Sequence, residues 1–207
     1  CITYGTKIIF TSSMAVYGDQ TPPFTEDKRP QPIDPYGIAK YAVECDLKLA
    51  HEQFGLRYNI VRPHNVLGVY QNIWDRYRNV IGIFIRKALN GQPILVYGDG
   101  EQTRAFSDIK YYMEPFDKLL TGHDGETFNI GADKHFSLNE VAITVQTIAA
   151  KYGYHVNIEH GEPRHEVKHA FCDHTKAKTL LNFEDNTNLA DLIESVFVWA
   201  MKQPNRK

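Results

Sequence analysis

A tyrosine and a lysine four positions apart, Tyr36 and Lys40, are the pair best suited to chemistry in this sequence. At that spacing two side chains share one face of a helix. A tyrosine with a pKa of about 10 is a poor base at neutral pH, but a nearby ammonium group favours the phenolate and lowers that pKa. Ser12 and Ser13 follow the first strand, and a serine hydroxyl from this strand end can hydrogen-bond the same substrate oxygen. Together these groups suit the removal of a proton from an alcohol while hydride leaves its carbon.

The surrounding elements must bring these groups together. Residues 7–11 are apolar and partly β-branched, which predicts a buried strand. Residues 36–54 have helical spacing, with Gly55 as a C-cap, and residues 57–61 predict a second strand stopped by Pro63. A tyrosine and a lysine at this spacing also occur at ordinary solvated helix starts. The local order of strand, hydroxyl residues, Pro-rich loop and helix is what favours the catalytic interpretation.

The rest of the chain continues the alternation of strands and helices. We predict helices over residues 77–89, 111–120, 138–152 and 189–201, and strands over residues 94–97, 127–130 and 155–158. The turn Gly98-Asp99-Gly100 follows the strand at 94–97. Such alternation predicts an α/β fold with a mainly parallel sheet, which places ligands at the carboxyl ends of its strands.

Composition excludes several classes of function. The 207 residues carry 23 Lys+Arg and 25 Asp+Glu, a formal net charge of −2, which argues against a general nucleic-acid binder. No apolar run of about 18 residues exists to span a membrane, and the start lacks a signal-peptide pattern. The three cysteines, Cys1, Cys45 and Cys172, are far apart and predict free thiols in a reducing, cytoplasmic compartment.

Further motifs occur along nearly the whole chain. They are Arg62-Pro63-His64-Asn65-Val66-Leu67-Gly68, the segment 75–80, the segment 97–104, Pro163-Arg164-His165-Glu166-Val167 and Lys176-Ala177. In this order, together with Tyr36-Gly37-Ile38-Ala39-Lys40, the sequence resembles the extended short-chain dehydrogenase/reductases. It is most similar to the NAD-dependent nucleotide-sugar epimerases and dehydratases of the UDP-glucose 4-epimerase type. The resemblance implies a Rossmann-like parallel sheet, bound NAD and a smaller α/β substrate-binding lobe.

The resemblance also implies a role for each matching residue. Ser13, Tyr36 and Lys40 would be catalytic, with Tyr36 as base and Ser13 on the sugar hydroxyl. Ser12, Tyr36, Lys40, Pro63 and His64 would contact NAD, with Lys40 on the nicotinamide ribose. The implied nucleotide-sugar residues are Ser13, Asn65, Asn79, Val80, Leu95, Tyr97, Arg104, Arg164 and Glu166. Simpler roles are open for some of them: Asn65 can cap a turn, Tyr97 can be a core residue and Arg104 a surface charge.

The implied domains are residues 1–68, the later part of a Rossmann NAD-binding domain, and residues 69–207, the nucleotide-sugar lobe. Part of residues 104–131 is expected to return to the Rossmann sheet. The glycine fingerprint that binds the pyrophosphate of NAD is absent from the sequence. By the resemblance, we expect a chain that begins after the first strands of the sheet.

Two serines favour one reaction of the family over the others. The family's dehydratases carry an acidic pair directly after the threonine that precedes the active serine position, and its decarboxylating members carry a glutamate there. This sequence has Ser12 and Ser13 at those positions. The resemblance therefore predicts a 4-epimerase. The alternative is a truncated, non-catalytic module that binds a nucleotide sugar or forms a homodimer through the helix of Tyr36.

The segment His165-Glu166-Val167-Lys168-His169 also matches the His-Glu-x-x-His zinc motif, which requires a helix. Pro163 stands just before it, and the flanking residues read equally well as extended chain. In a strand, residues 165 and 169 would lie roughly 13 Å apart, too far for one zinc ion. The segment also coincides with the stretch that the resemblance assigns to ribose binding. We therefore expect no metal at this motif.

Overall fold

Strands and helices alternate along the chain, as the sequence predicts. The structure is a computed structural model that describes residues 1–75, 79–163 and 168–204. Within these residues the strands are β1 (Ile8–Thr11), β2 (Tyr58–Pro63), β3 (Val66–Leu67), β4 (Ile94–Tyr97), β5 (Thr103–Ala105), β6 (Ser107–Asp108), β7 (Thr127–Ile130), β8 (His135–Ser137), β9 (Ile158–Gly161) and β10 (His169–Ala170). The α-helices are α1 (Pro35–Phe54), α2 (Val80–Leu89), α3 (Met113–Thr121), α4 (Leu138–Lys151), α5 (Thr175–Leu181) and α6 (Leu189–Met201).

The chain divides into two compact units. The first unit contains Cys1–His64, Lys110–Asp133 and Ala170–Asn186, and the second contains the remaining described residues. The predicted domain limits, 1–68 and 69–207, run continuously along the chain, whereas residues 170–186 pack with the first unit. Helix α5, within this segment, packs on β7 and α3, which explains its membership of the first unit.

The first unit is built on a parallel sheet in the order β1-β2-β7. Ile8 pairs with Tyr58 and Thr11 with Val61, so that β1 and β2 end at the same edge. Helix α1 connects these strands and buries Leu47 against the sheet, in a cluster with Leu56 and Ile60. The α/β class that the sequence predicts is confirmed, and the carboxyl ends of β1 and β2 define one edge at which a ligand site can form.

Helix α1 has clear signals at both of its ends. Asp34 caps its first turn, Pro35 occupies the first position, and Gly55 ends it in the left-handed conformation with φ 68°. Strand β2 ends at Pro63, as the sequence predicts, although it extends two residues beyond Val61 and Pro63 itself pairs with Ile130. Proline has no backbone N–H to donate to a neighbouring strand, and at the last residue of β2 this costs only the final hydrogen bond of the ladder.

The second unit has its core between α2, α4 and α6. The buried side chains that form it include Ile81, Phe84, Ile85, Val141, Val145, Ile193, Val196 and Phe197. Strands β4 and β9 pair in parallel, and β5 pairs with β8 in antiparallel orientation. Ser137 and Glu140 form a capping box at the start of α4.

Across residues 1–75, 79–163 and 168–204, no helix combines the length and apolar character needed to cross a membrane. The three cysteines are free thiols, of which Cys1 is exposed, Cys45 half-buried and Cys172 buried.

Candidate functional site

Tyr36 and Lys40 lie at the start of α1, beside the carboxyl end of β1. The Lys40 ammonium donates a hydrogen bond to the backbone carbonyl of Thr11 over 2.7 Å. It also lies 5.7 Å from the centroid of the Tyr36 ring and 5.0 Å from that of Phe10. The Tyr36 side chain is 56% exposed. The structure therefore holds the lysine against the strand end and leaves the tyrosine hydroxyl open to a ligand.

The glycine between these two residues has a packing reason. A Cβ atom added to Gly37 would lie 2.7 Å from the carbonyl oxygen of Ala15. The backbone N–H of Gly37 also donates to the carboxylate of Asp34, over 2.7 Å. The first turn of α1 thus lies directly against the turn Met14–Tyr17, which follows the two serines. This close approach fixes the position of the backbone at Tyr36.

The two serines have different environments. Ser13 is half-buried, and its hydroxyl oxygen accepts a hydrogen bond from the backbone N–H of Ala15 over 3.2 Å. Ser12 is buried, and its hydroxyl donates to Glu44 over 2.5 Å. Ser13 keeps a hydroxyl proton that it can donate to a ligand. The Ser12 hydroxyl is directed into the protein, and its assignment to the cofactor stays a prediction.

Sequence reasoning missed a buried ion pair behind the site, between Glu44 and Arg62. Both side chains are 0% exposed, and the two guanidinium nitrogens Nε and Nη2 donate to the carboxylate over 2.9 and 2.6 Å. The Arg62 Nη1 atom donates to the Tyr17 hydroxyl over 2.7 Å, and that hydroxyl donates to Asn129 over 2.7 Å. The only signal in the sequence was a charged residue within the apolar pattern of α1 and another within β2.

The pKa values of this network follow from its burial. Burial alone would lower the pKa of Arg62, but its hydrogen bonds to Glu44 and the nearby negative charge raise it above its ordinary value. Burial raises the pKa of Tyr17, against an opposing effect of Arg62. Arg62 is therefore a permanent buried cation, and Tyr17 is a neutral phenol that cannot act as a base.

His64 follows β2 directly and is also buried. Its Nε2 atom lies 2.8 Å from Nε2 of His174, and Nδ1 of His174 lies 3.0 Å from the Asp133 carboxylate. Because a carboxylate only accepts hydrogen bonds, His174 carries its proton on Nδ1 and accepts from His64 at Nε2. Burial lowers the pKa of His174, opposed by the hydrogen bond to Asp133. Half-buried Pro63 precedes this group at the carboxyl edge of the sheet.

The remaining predicted site residues that the structure describes lie in the second unit. Asn65 has a φ of 41° and donates from its amide to the Ala105 carbonyl over 2.9 Å. Asn79 caps α2, of which Val80 is the first residue, and accepts from a backbone N–H over 3.0 Å. Arg104 donates to the carbonyl of Thr103 over 2.8 Å.

Leu95 and Tyr97 occupy alternate positions on β4 and are half-buried, on the face opposite the buried Ile94 and Val96. Tyr97 lines a cleft of about 860 Å³ within the second unit. Other lining residues are Gly98, Asp99, Gln102, His160, Gly161, Glu162, Pro163 and Lys168. The cleft lies at the carboxyl end of β4, where a parallel pair of strands presents its loops.

Some predicted positions lie outside the described residues. These are Arg164 and Glu166, and with them His165 of the possible zinc motif. His169, the last residue of that motif, lies in strand β10, where its Nδ1 atom is 2.9 Å from the hydroxyl of Thr103.

Comparisons with known proteins show the family to which the chain belongs. The profile of the NAD dependent epimerase/dehydratase family matches residues 1–131. A putative UDP-glucose 4-epimerase of Methanocaldococcus jannaschii is 34% identical over 203 residues, which are 97% of this chain and 64% of the relative. The chain thus spans about two thirds of the length of that relative.

Two solved structures resemble the chain closely. The UDP-glucose 4-epimerase of Thermotoga maritima, solved with UDP-glucose, is 30% identical with a TM-score of 0.88, over 97% of this chain and 65% of its own. The UDP-glucuronic acid 4-epimerase of Bacillus cereus, solved with UDP-glucuronic acid and NAD, is 27% identical with a TM-score of 0.83, over 93% and 60%. With the family profile covering more than half of its residues, the chain belongs to the NAD dependent epimerase/dehydratase family.

Proposed function

We propose that this chain forms the catalytic and nucleotide-sugar-binding part of an NAD-dependent 4-epimerase that acts on a UDP-sugar. The observation that carries the proposal is the arrangement at the end of β1. Lys40 is anchored to the Thr11 carbonyl beside the exposed ring of Tyr36. Ser13 follows the same strand end with a hydroxyl that can still donate. Relatives of known structure bind UDP-sugars and NAD.

Tyr36 would act as the base that takes the proton of the sugar C4 hydroxyl. The Lys40 ammonium lies beside the Tyr36 ring, and Ser13 would donate a hydrogen bond to the same sugar oxygen. When the keto sugar has turned its other face, Tyr36 would return the proton to that oxygen. NAD, when bound, supplies the hydride acceptor for this chemistry.

The residues present fit part of the NAD molecule. Lys40 has donors to spare beyond its bond to Thr11, which suits the hydroxyls of the nicotinamide ribose. Pro63 and His64 border the same edge of the sheet. The glycine-rich turn that receives the pyrophosphate is not among the 207 residues. NAD binding by these 207 residues would therefore depend on Lys40, Pro63 and His64 and on no glycine-rich turn.

The local chemistry supports epimerisation over elimination. Elimination needs an acid that protonates the leaving hydroxyl, and positions 12 and 13 hold serines. Glu44 contacts Ser12, but it is buried and paired with Arg62. Its carboxylate oxygens are taken up by Arg62 and Ser12 inside the protein.

The second unit would hold the nucleotide. Leu95 and Tyr97 would line the slot for the base at the end of β4, and Asn79 and Arg104 would contact the diphosphate. A guanidinium group matches the geometry of phosphate oxygens. The predicted roles of Asn65, Val80, Arg164 and Glu166 toward the sugar nucleotide form part of the same proposal.

The experiment measures three quantities on the purified chain: NAD released on denaturation, binding of UDP-glucose by calorimetry, and interconversion of the C4 epimers by NMR. The proposal expects the Tyr36→Phe variant to lose at least a thousandfold in interconversion, because the base is removed. The matched control is Tyr41→Phe, on the same helix, which should retain the parent rate. Equal rates for Tyr36→Phe and the parent chain would refute the assigned base.

The alternative function, a non-catalytic module, makes a different prediction in the same assays. It expects measurable binding of UDP-glucose, no retained NAD and no interconversion. Retention of NAD together with interconversion would exclude it. A longer reading frame found upstream of Cys1 would be expressed and assayed in the same way.

We also propose that the protein forms a homodimer through α1. Ile38 and Leu49 on this helix are exposed, at 56% and 53%, and they lie about three turns apart on one face. An apolar helix face of this kind is suited to pairing with a second copy. Sedimentation equilibrium of the parent and of a Leu49→Glu variant tests this, since the variant should shift the mass from dimer to monomer.

A further inference from the structure

Three potential metal ligands meet in the interior of the first unit: His64, Cys172 and His174. All three residues are buried, at 1%, 6% and 2% exposure. One nitrogen or sulfur atom of each lies within 4.8 Å of the other two. Imidazole and thiolate together are the ligand set that zinc prefers. No role assigned to the chain above uses the thiol of Cys172.

Backbone contacts hold this group in place. Phe24 donates from its N–H to the Phe171 carbonyl over 3.0 Å, and Asp173 donates to the Phe24 carbonyl over 2.8 Å. Phe24 and Cys172 thus form a parallel bridge. These backbone hydrogen bonds therefore set the position of Cys172 and His174 next to the end of β2, and this position does not depend on an ion.

The Nδ1 atom of His174 is hydrogen-bonded to a carboxylate, as the second nitrogen of a ligating histidine is in many metal sites. Its Nδ1 atom contacts one oxygen of Asp133 over 3.0 Å, and the other oxygen of Asp133 contacts Lys178 over 2.5 Å. A carboxylate on the far nitrogen fixes the tautomer and ring orientation of a ligating histidine. It leaves the lone pair of Nε2 on the side of His64.

The two rings are close enough to share one ion. Their planes differ by 11° and their centroids are 5.0 Å apart, against about 5.2 Å for two imidazoles on one tetrahedral zinc with bonds of about 2.0–2.1 Å. Zinc would replace the hydrogen bond between the rings, so that the two Nε2 atoms would move from 2.8 Å to roughly 3.4 Å apart and turn toward the ion.

A glycine provides the room at this edge of His64. A Cβ atom added to Gly131 would lie 2.0 Å from the Nε2 atom of His64. Only a residue without a side chain therefore allows the imidazole edge to reach His174. The close approach of the two imidazoles therefore requires glycine at position 131.

We propose that His64, Cys172 and His174 form a binding site for a zinc ion, with Asp133 supporting His174. The ion would join the end of β2 to the segment that precedes α5. As the zinc–sulfur bond forms, the thiol proton of Cys172 passes to solvent and the sulfur binds as thiolate. His64 is also among the residues proposed to border NAD, and the zinc site is therefore tested by metal binding alone, without reference to epimerase activity.

The experiment titrates the metal-free chain with Co²⁺ and with Zn²⁺, after Cys1→Ser and Cys45→Ser have removed the other thiols. We expect one Co²⁺ per chain, with the thiolate charge-transfer absorption that a cysteine ligand produces. We expect Zn²⁺ at a hundredfold excess over its Kd to raise the Tm by about 5–10 °C. Introduction of Cys172→Ser should abolish the charge-transfer band and weaken Zn²⁺ binding at least a hundredfold. A His135→Gln variant, changed at an exposed histidine, should bind as the parent does.

Two results would overturn the proposal. One is the absence of both the cobalt spectrum and the rise in Tm, which leaves a hydrogen-bonded histidine pair only. The other is an unchanged spectrum after Cys172→Ser, which locates the ion elsewhere. Should that variant fail to fold, alkylation of Cys172 in the intact chain serves instead: zinc should slow it at least tenfold, and an unchanged rate overturns the site.

Discussion

Replacing Glu44 with glutamine should destabilise the protein strongly, because it leaves the Arg62 charge buried without a counter-charge. Both side chains are inaccessible to solvent, and their two hydrogen bonds measure 2.6 and 2.9 Å. Removing one partner of such a buried pair costs about 3–5 kcal/mol of unfolding free energy. For a chain of this length that corresponds to a fall in Tm of roughly 6–20 °C. The side-chain volume is almost unchanged, so a cavity does not contribute.

Urea unfolding followed by two probes measures the effect. Both tryptophans, Trp74 and Trp199, belong to the second unit, so that their fluorescence reports on that unit, while far-UV circular dichroism reports on both. If only the first unit loses stability, the urea concentration at the dichroism midpoint falls and that at the fluorescence midpoint is unchanged. Glu52→Gln, an exposed change on the same helix, is the control and should alter stability by less than about 0.5 kcal/mol.

A double-mutant cycle separates the ion pair from other effects. Glu44→Leu combined with Arg62→Met replaces the pair with apolar side chains, and we expect it to be more stable than either single variant by at least about 2 kcal/mol. The reasoning is refuted if Glu44→Gln costs less than 1 kcal/mol, or if the two single changes simply add.

Three further predictions concern other parts of the chain. Asp34→Ala removes the cap of α1 and should cost about 1 kcal/mol of unfolding free energy. Val196→Ala removes two buried methyl groups from the core of the second unit and should cost about 2–3 kcal/mol. Hydrogen bonds from Lys7, then Arg57, lower the pKa of Asp124; its stabilising effect is complete above the ordinary aspartate pKa of about 3.9 and is lost as the pH falls through the lower folded value.

Urea titration checks all three variants, and the pH series compares the parent with Asp124→Asn. Because Asp124 is one-third exposed, its contribution should stay below about 1 kcal/mol. Parent-like stability of Asp34→Ala would contradict the capping argument, and a loss below 1 kcal/mol for Val196→Ala would contradict the packing of the second core. Parallel stability curves for the parent and Asp124→Asn below pH 4 would contradict the linkage.

Several elements could be predicted because their signals are local. Strands β4 and β7 and helix α6 have the predicted limits, since each carries its own apolar pattern. Strand β9 was predicted three residues too early. Its residues show no alternation of buried and exposed side chains, and its position follows from backbone pairing with β4. Helix α5 was missed because seven residues with two buried side chains are too short to show a period.

The sequence by itself determined the family and the Tyr36–Lys40 pair, because motif order and a spacing of four residues are properties of neighbouring positions. Only the tertiary structure decided which buried groups meet. Glu44 contacts a residue 18 positions away, and His64 contacts one 110 positions away. Their contacts depend on the register of β1, β2 and β7 and on where the segment before α5 packs. Such distances arise from the packing of the whole unit, which no local pattern encodes.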